Sequence, residues 1–230
     1  MKAYHFLKDN MKSGEGQEKA WTIGEERTIK GEVELCVRGY HSSPSWYDAL
    51  NYAPGPIACL VEIPKQGTIK DTNKSVSPKR RLVDCRNAEQ VLRIWACDCA
   101  ERALKKAKIK DERSWNAIKV ARLYSDDKAT REELATARSA ARAAAWSDTR
   151  SAARAAARDA AWSDTKSAAW DAAWSVAWSA TRSATSDVAW SATRSATWDA
   201  EVKWQKRHLN KLMNELFKTA PSQTPEVWEE

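Results

Sequence analysis

From Arg138 to Glu201 the chain repeats every four residues, and this period limits what it can fold into. Stepping by four from Arg138 to Trp198 gives 16 positions; 15 are Trp, Arg or Lys, and the other is Ser186. The second residue of the unit is always Ser, Asp or Ala, and the third is Ala except at Asp148, Asp164, Val176 and Val188. The fourth is Ala or Thr until Glu201. Neither glycine nor proline occurs between Thr130 and Pro221, and alanine has the best intrinsic helix propensity, so helix is the expected state. Four residues turn an α-helix through about 400°, so the Trp/Arg row drifts about 40° per unit and circles the axis in roughly 36 residues. A lone straight helix would leave many indoles in water. The pattern predicts helices folded on one another, with breaks near Ser147-Asp148-Thr149 and Ser163-Asp164-Thr165, where short polar side chains compete for backbone bonds. A β-solenoid is the weaker alternative, because alanine is a poor strand former.

In such an array alanine lets backbones approach and each indole fills the gap. Trp162, Trp170, Trp174 and Trp178, with Trp95 and Trp115 upstream, are therefore the expected structural core. Trp190, Arg194 and Trp198, spaced four apart, are the expected binding ladder, since such pairs stack on a helix face and Trp and Arg favour binding hot spots. The stripe circles the helix, so one helix pair cannot cover its seven tryptophans, and a homo-oligomer, most simply a dimer, is expected.

Upstream the grammar differs. Ala3–Leu7 and Val33–Val37 alternate as strands do, and Ile57–Ile63 is nearly continuous in apolar residues. Ser43-Pro44 is a helix opening, stopped by Ala53-Pro54-Gly55-Pro56, and Pro64–Lys79 is polar and turn-rich. From residue 86, helix starts are expected at Asn87 (with Gln90), Asp111 and Thr130 (with Glu133). The first of these helices should present Val91, Ile94, Trp95, Cys99 and Ala103 on one face. The expected class is α+β: a mixed domain over 1–85, connecting helices over 86–129, an all-α repeat bundle or stack over 130–218 and a disordered tail over 219–230.

The net charge of +7 suggests nucleic acid, but the excess does not lie along the repeat. Residues 131–200 carry nine basic against eight acidic side chains, whereas residues 1–130 carry 24 against 18. Nucleic acid is a possible partner and not the favoured one. The five cysteines and three histidines form no CxxC or HxxxH spacing, so neither metal nor cofactor is expected. Without a long apolar run or a signal core, a cytoplasmic protein with no membrane partner is expected.

The most motif-like segment is Cys36-Val37-Arg38-Gly39-Tyr40-His41. Its functional reading makes His41 a base or ligand contact beside Tyr40, with Cys36 or Ser43 as nucleophile and Asp48 as a conceivable orienting acid. Its structural reading has Tyr40 and His41 fixing a strand-to-helix corner, and the lack of a spaced acidic partner favours that one. The Cys-x-x-Gly-aromatic-His pattern resembles an N-terminal domain of unknown function in phage and bacterial proteins, over about residues 1–70. Separately, Gln90–Leu104 followed by alanine/arginine tracts is similar to helical immunity proteins of bacterial toxin systems, over about residues 86–200. These resemblances imply a non-enzymatic factor, in a bacterial cell or phage-infected host, that engages a toxin or defence protein; they bring no catalytic residues. The alternatives are a small-molecule or nucleotide-binding domain centred on His41, with the array as scaffold, or nucleic-acid binding through the basic half.

Overall fold

The computed structural model describes residues 1–14, 18–106, 110–148 and 194–222, with backbone alone at 142–148 and 194–199. The chain is α+β and divides into two compact units, Met1–Glu89 with Lys206–Glu230, and Gln90–Gln205.

The first unit is built on a four-stranded antiparallel sheet. Its order is β1 (Lys2–Leu7), β4 (Ile57–Glu62), β7 (Lys79–Asn87) and β2 (Glu26–Thr28). A three-stranded sheet of β3 (Tyr40–Ser42), β6 (Ser75–Ser77) and β5 (Ile69–Lys70) adjoins it. Two backbone bonds, Tyr4 N to Ser43 O (3.0 Å) and Ser43 N to Tyr4 O (2.8 Å), bridge β1 to the residue after β3. Both faces of the larger sheet are covered. Ala3 and Leu7 of β1, Ile57, Cys59 and Val61 of β4, and Leu82 and Cys85 of β7 form one core with Met11 and Trp21 of the loop after β1. On the other face Tyr4 and Phe6 meet Trp46 at ring separations of 4.5 and 5.9 Å. Trp46 opens α1 (Trp46–Leu50) and stacks on Phe217 at 5.2 Å.

A one-residue bulge reconciles these faces. β4 and β7 pair Leu60 with Asp84 but Val61 with Leu82, leaving Val83 as the extra residue. Leu82 and Cys85, three apart, thereby share a face, while Arg80 and Arg86, six apart, fall on opposite faces. Arg80 lies over Trp21 and Arg86 over Phe217.

The helix α5 (Arg194–Thr219) contributes its later part to this unit. Leu209 and Met213, four apart on one face of this helix, are fully buried. Arg86 fastens the residues that follow α5, donating to Ala220 O (2.7 Å) and Ser222 Oγ (2.9 Å), and Ser222 donates to Asp84 (2.8 Å). The expected tail from 219 is thus bonded as far as Ser222, and residues 223–230 lie outside the described residues.

The second unit is helical. α2 (Glu89–Lys106), α3 (Glu112–Ser125) and α4 (Arg131–Asp148) join the first part of α5. Asp111 caps α3 by accepting from Arg113 N. Thr130 and Glu133 exchange both bonds of a capping box ahead of α4, as their spacing predicts. Asn87 accepts from Glu89 N, but Gln90 donates to Ser125 O instead of reaching back to Asn87. α2 buries Leu92, Trp95, Ala96, Cys97, Cys99, Ala100 and Ala103, so it has neighbours on more than one side; Val91 and Ile94 are only half-buried. Arg122 of α3 pairs with Asp98 and Glu101 of α2, and Arg102 of α2 pairs with the buried Glu201 of α5.

Two further sequence expectations fail. Val33–Val37 is a tight turn between Glu34 and Arg38, not a strand: Cys36 takes a φ of +65° and Val37 is 71% exposed. The cap of α1 is Ser45, not Ser43, whose backbone is committed to the bridge with Tyr4.

The burial of Leu209 gives a stability prediction. Leu209→Ala removes a fully buried side chain and should cost about 2–5 kcal/mol. The shift in urea midpoint measures it, and an unchanged midpoint would show that this side chain of α5 does not serve a packed core.

Candidate functional site

The Cys36–His41 segment folds as a lock. Gly39 takes a φ of +133°, and a Cβ there would stand 2.3 Å from Val76 Cγ2, so only glycine fits. The chain then enters β3, whose His41 is paired with Val76 of β6. This brings the imidazole back over the turn, where Nε2 accepts the backbone N–H of Cys36 at 2.9 Å. An Nε2 that accepts is unprotonated, so the ring carries its proton on Nδ1. Partial burial lowers the His41 pKa, a hydrogen bond to the Gly39 backbone raises it in turn, and Lys74 and Arg80 lower it further; the balance is downward. Lys74 Nζ lies 2.8 Å from the exposed Cys36 Sγ and 5.2 Å from the Tyr52 ring centre, and the neighbouring thiol raises the Lys74 pKa.

His41 meets the Cys36 backbone and not its thiol, so the two do not form a base–nucleophile pair. Ser43 is buried and bridged to Tyr4, and Asp48 is taken by Ser45 Oγ (2.5 Å) and Lys206 Nζ (3.2 Å), away from His41. Tyr40 turns towards the other side of β3, with its ring edge-on to Trp21 at 5.6 Å.

Beneath Tyr40 lies a second cluster that spacing did not reveal. Trp21 is sandwiched by the guanidinium carbons of Arg27 (4.0 Å) and Arg80 (4.4 Å). Arg80 is 3% exposed and donates to His41 O (2.9 Å) and Ser13 Oγ (3.0 Å). Ser13 Oγ also lies 3.2 Å from His5 Nε2. Burial holds the Arg80 pKa down to about 10; burial and the Arg80 and His41 charges hold His5 well below its ordinary value. His5 and Ser13 are eight residues apart on a strand and a loop, a spacing that matches no motif.

Of the other residues singled out, Trp95 is buried and its indole donates to Gln205 O at 3.2 Å, whereas Trp115 is only half-buried. Arg194 and Trp198 lie in the first turns of α5, where only backbone is described. Trp162, Trp170, Trp174, Trp178 and Trp190 lie outside the described residues. Among the described residues no group of His, Cys, Asp or Glu is placed to hold a metal ion, and no helix is long and apolar enough to cross a membrane.

Two predictions follow from the lock. Gly39→Ala forces a side chain into a strained backbone region and against Val76, and the backbone alone should cost on the order of 1–3 kcal/mol, read as a lowered urea midpoint. His5 and His41 have folded pKa values below 6.5, so the unfolded chain takes up protons first as pH falls. Their stabilising contribution is complete above 6.5 and is lost on acidification below it, ahead of the carboxylates near 4.5. The midpoint should fall between about pH 7.5 and about pH 5.5; a rise over that interval would contradict the neutral assignment.

Neither curated proteins nor solved structures yield a match to the chain. Residues 1–94 match the model of a family described as a domain of unknown function, DUF7666, so this unit carries a DUF7666 domain.

Proposed function

We propose that this protein is a non-enzymatic factor that engages and neutralises another protein, as immunity or counter-defence factors do. The observation that carries the reading is the commitment of His41. Its Nε2 lone pair is held by the Cys36 amide, so the most conspicuous candidate base in the sequence serves to close a turn. The same commitment weighs against a ligand pocket centred on the ring itself. Binding through the basic half is weakened at Lys79-Arg80-Arg81, where Arg80 is buried and Lys79 is paired with Glu26 at 2.8 Å.

The repeat then stands as the binding element. It is entered through α4, opened by a complete capping box, and left through α5, whose continuation is anchored by Leu209 and Met213. In this reading the array is a helical bundle or stack that forms a homodimer. Trp170, Trp174 and Trp178 lie deepest, and Trp190, Arg194 and Trp198 meet the partner. The likeness of Gln90–Leu104 to immunity proteins fits a toxin or defence protein as that partner, and a cytoplasmic setting.

The test uses the intact chain and a Trp190→Ala/Trp198→Ala variant. Light scattering should give a dimer for the parent, and capture of its partner from the native host should drop at least about tenfold in the variant. A monomeric parent whose variant captures the same partner equally well would overturn the reading. So would a chemical conversion by the purified protein that disappears in His41→Ala.

A further inference from the structure

A buried guanidinium is normally matched by a carboxylate, because removing a lone charge from water is costly. Arg80 takes part in no ion pair among the described residues. What surrounds it is neutral or basic: the Trp21 and Tyr40 rings at 4.4 and 5.3 Å, the His41 carbonyl, the Ser13 hydroxyl, and the imidazoles of His5 and His41. Its Nε–H is buried and has no hydrogen-bond partner.

The other ionisable groups acting on it are Glu18, Arg27 and Cys59. Glu18 is engaged elsewhere, accepting from the Trp21 indole (2.9 Å) and from Ser13 and Gly14 N–H (2.8 and 3.1 Å), with Arg27 at 3.6 Å. Cys59 lies buried in the core, where desolvation and its neighbour Cys85 hold the thiol protonated. By contrast His5, Ser13, Tyr40 and His41 are all only half-buried. Among the described residues the buried Arg80 cation thus has no matching carboxylate, and the polar side chains nearest it are half-buried.

We propose that this cluster is an anion site for a phosphate group, with the Arg80 guanidinium as the charge and Ser13 and His5 as the flanking contacts. Arginine's planar donor fork suits an oxyanion, and charge-assisted bonds are the strong ones. A dianion answers the Arg80 cation together with a protonatable His5 better than a carboxylate does. Ser13 Oγ, already within reach of both His5 and Arg80, is the natural hinge for the hydrogen bonds to rearrange about. A dianion at this point would also stabilise protonated His5, so occupancy and His5 titration are linked. This site is independent of the array, so its failure would leave the protein-binding reading intact.

The experiment uses the intact chain with inorganic phosphate, with glycerol phosphate and with sodium chloride at matched ionic strength. Thermal midpoints and the His5 ring-proton titration are followed by calorimetry and NMR. Both phosphate probes, or inorganic phosphate alone, should raise the midpoint above the chloride control and raise the His5 pKa. Response to both assigns a phosphomonoester on a larger molecule; response to inorganic phosphate alone assigns the free ion. Ser13→Ala, which retains Arg80, should fold and weaken phosphate affinity about tenfold. Arg80→Gln, where it folds, should abolish the response. Midpoints and His5 titration identical in phosphate and chloride, or Ser13→Ala responding as strongly as the parent, would overturn the site.

Discussion

A single extra residue in β7 organises the first unit. Without the bulge at Val83, Arg80 and Arg86 would point to the same side of the sheet, and one of the two aromatic contacts would be lost. With it, Arg80 reaches Trp21, Ser13 and the strand carrying His41, while Arg86 reaches Phe217, Ala220 and Ser222. The candidate site and the anchoring of Ala220 and Ser222 both depend on that parity change. Each arginine is matched differently. Arg86 has an acid partner in Asp84, whereas among the described residues Arg80 has aromatic faces and neutral acceptors only.

The elements that could be read from the sequence are those whose pattern survives packing. β1 alternates because both of its faces are covered by different partners, and β4 is nearly all apolar because it is central. The caps at Asp111 and Thr130 depend on local bonds that do not need a tertiary neighbour. β7 was invisible for physical reasons: the bulge breaks its period, and it presents Arg80, Asp84 and Arg86 where a strand is expected to be apolar. Val33–Val37 misled because alternation says nothing about φ, and Cys36 at +65° reverses the chain there. The apolar spacing of Leu209, Met213 and Phe217 announces a helix, but only the fold shows that Phe217 stacks on Trp46.

The site was legible in part. The motif suggests a strand-to-helix corner, whereas Tyr40 and His41 lie in β3 after a turn, and the lock consists of backbone contacts to Cys36 and Gly39 that residue types alone do not specify. His5 and Ser13 carried no signal, since a strand residue and a loop residue become neighbours only when Met11 and Trp21 fold the loop onto the sheet. The motif histidine closes a turn, and in the proposed reading the repeat, not this ring, is the surface for a protein partner.

The neutrality of His41 is the claim on which that account turns, and nitrogen NMR of the imidazole tests it most directly. At about pH 7 the ring should be the neutral Nδ1–H tautomer, with its pKa below 6.5 and the Cys36 amide protected from hydrogen exchange. An imidazolium, or an Nε2–H tautomer beside a freely exchanging Cys36 amide, would mean that the ring is available for chemistry and would contradict the account.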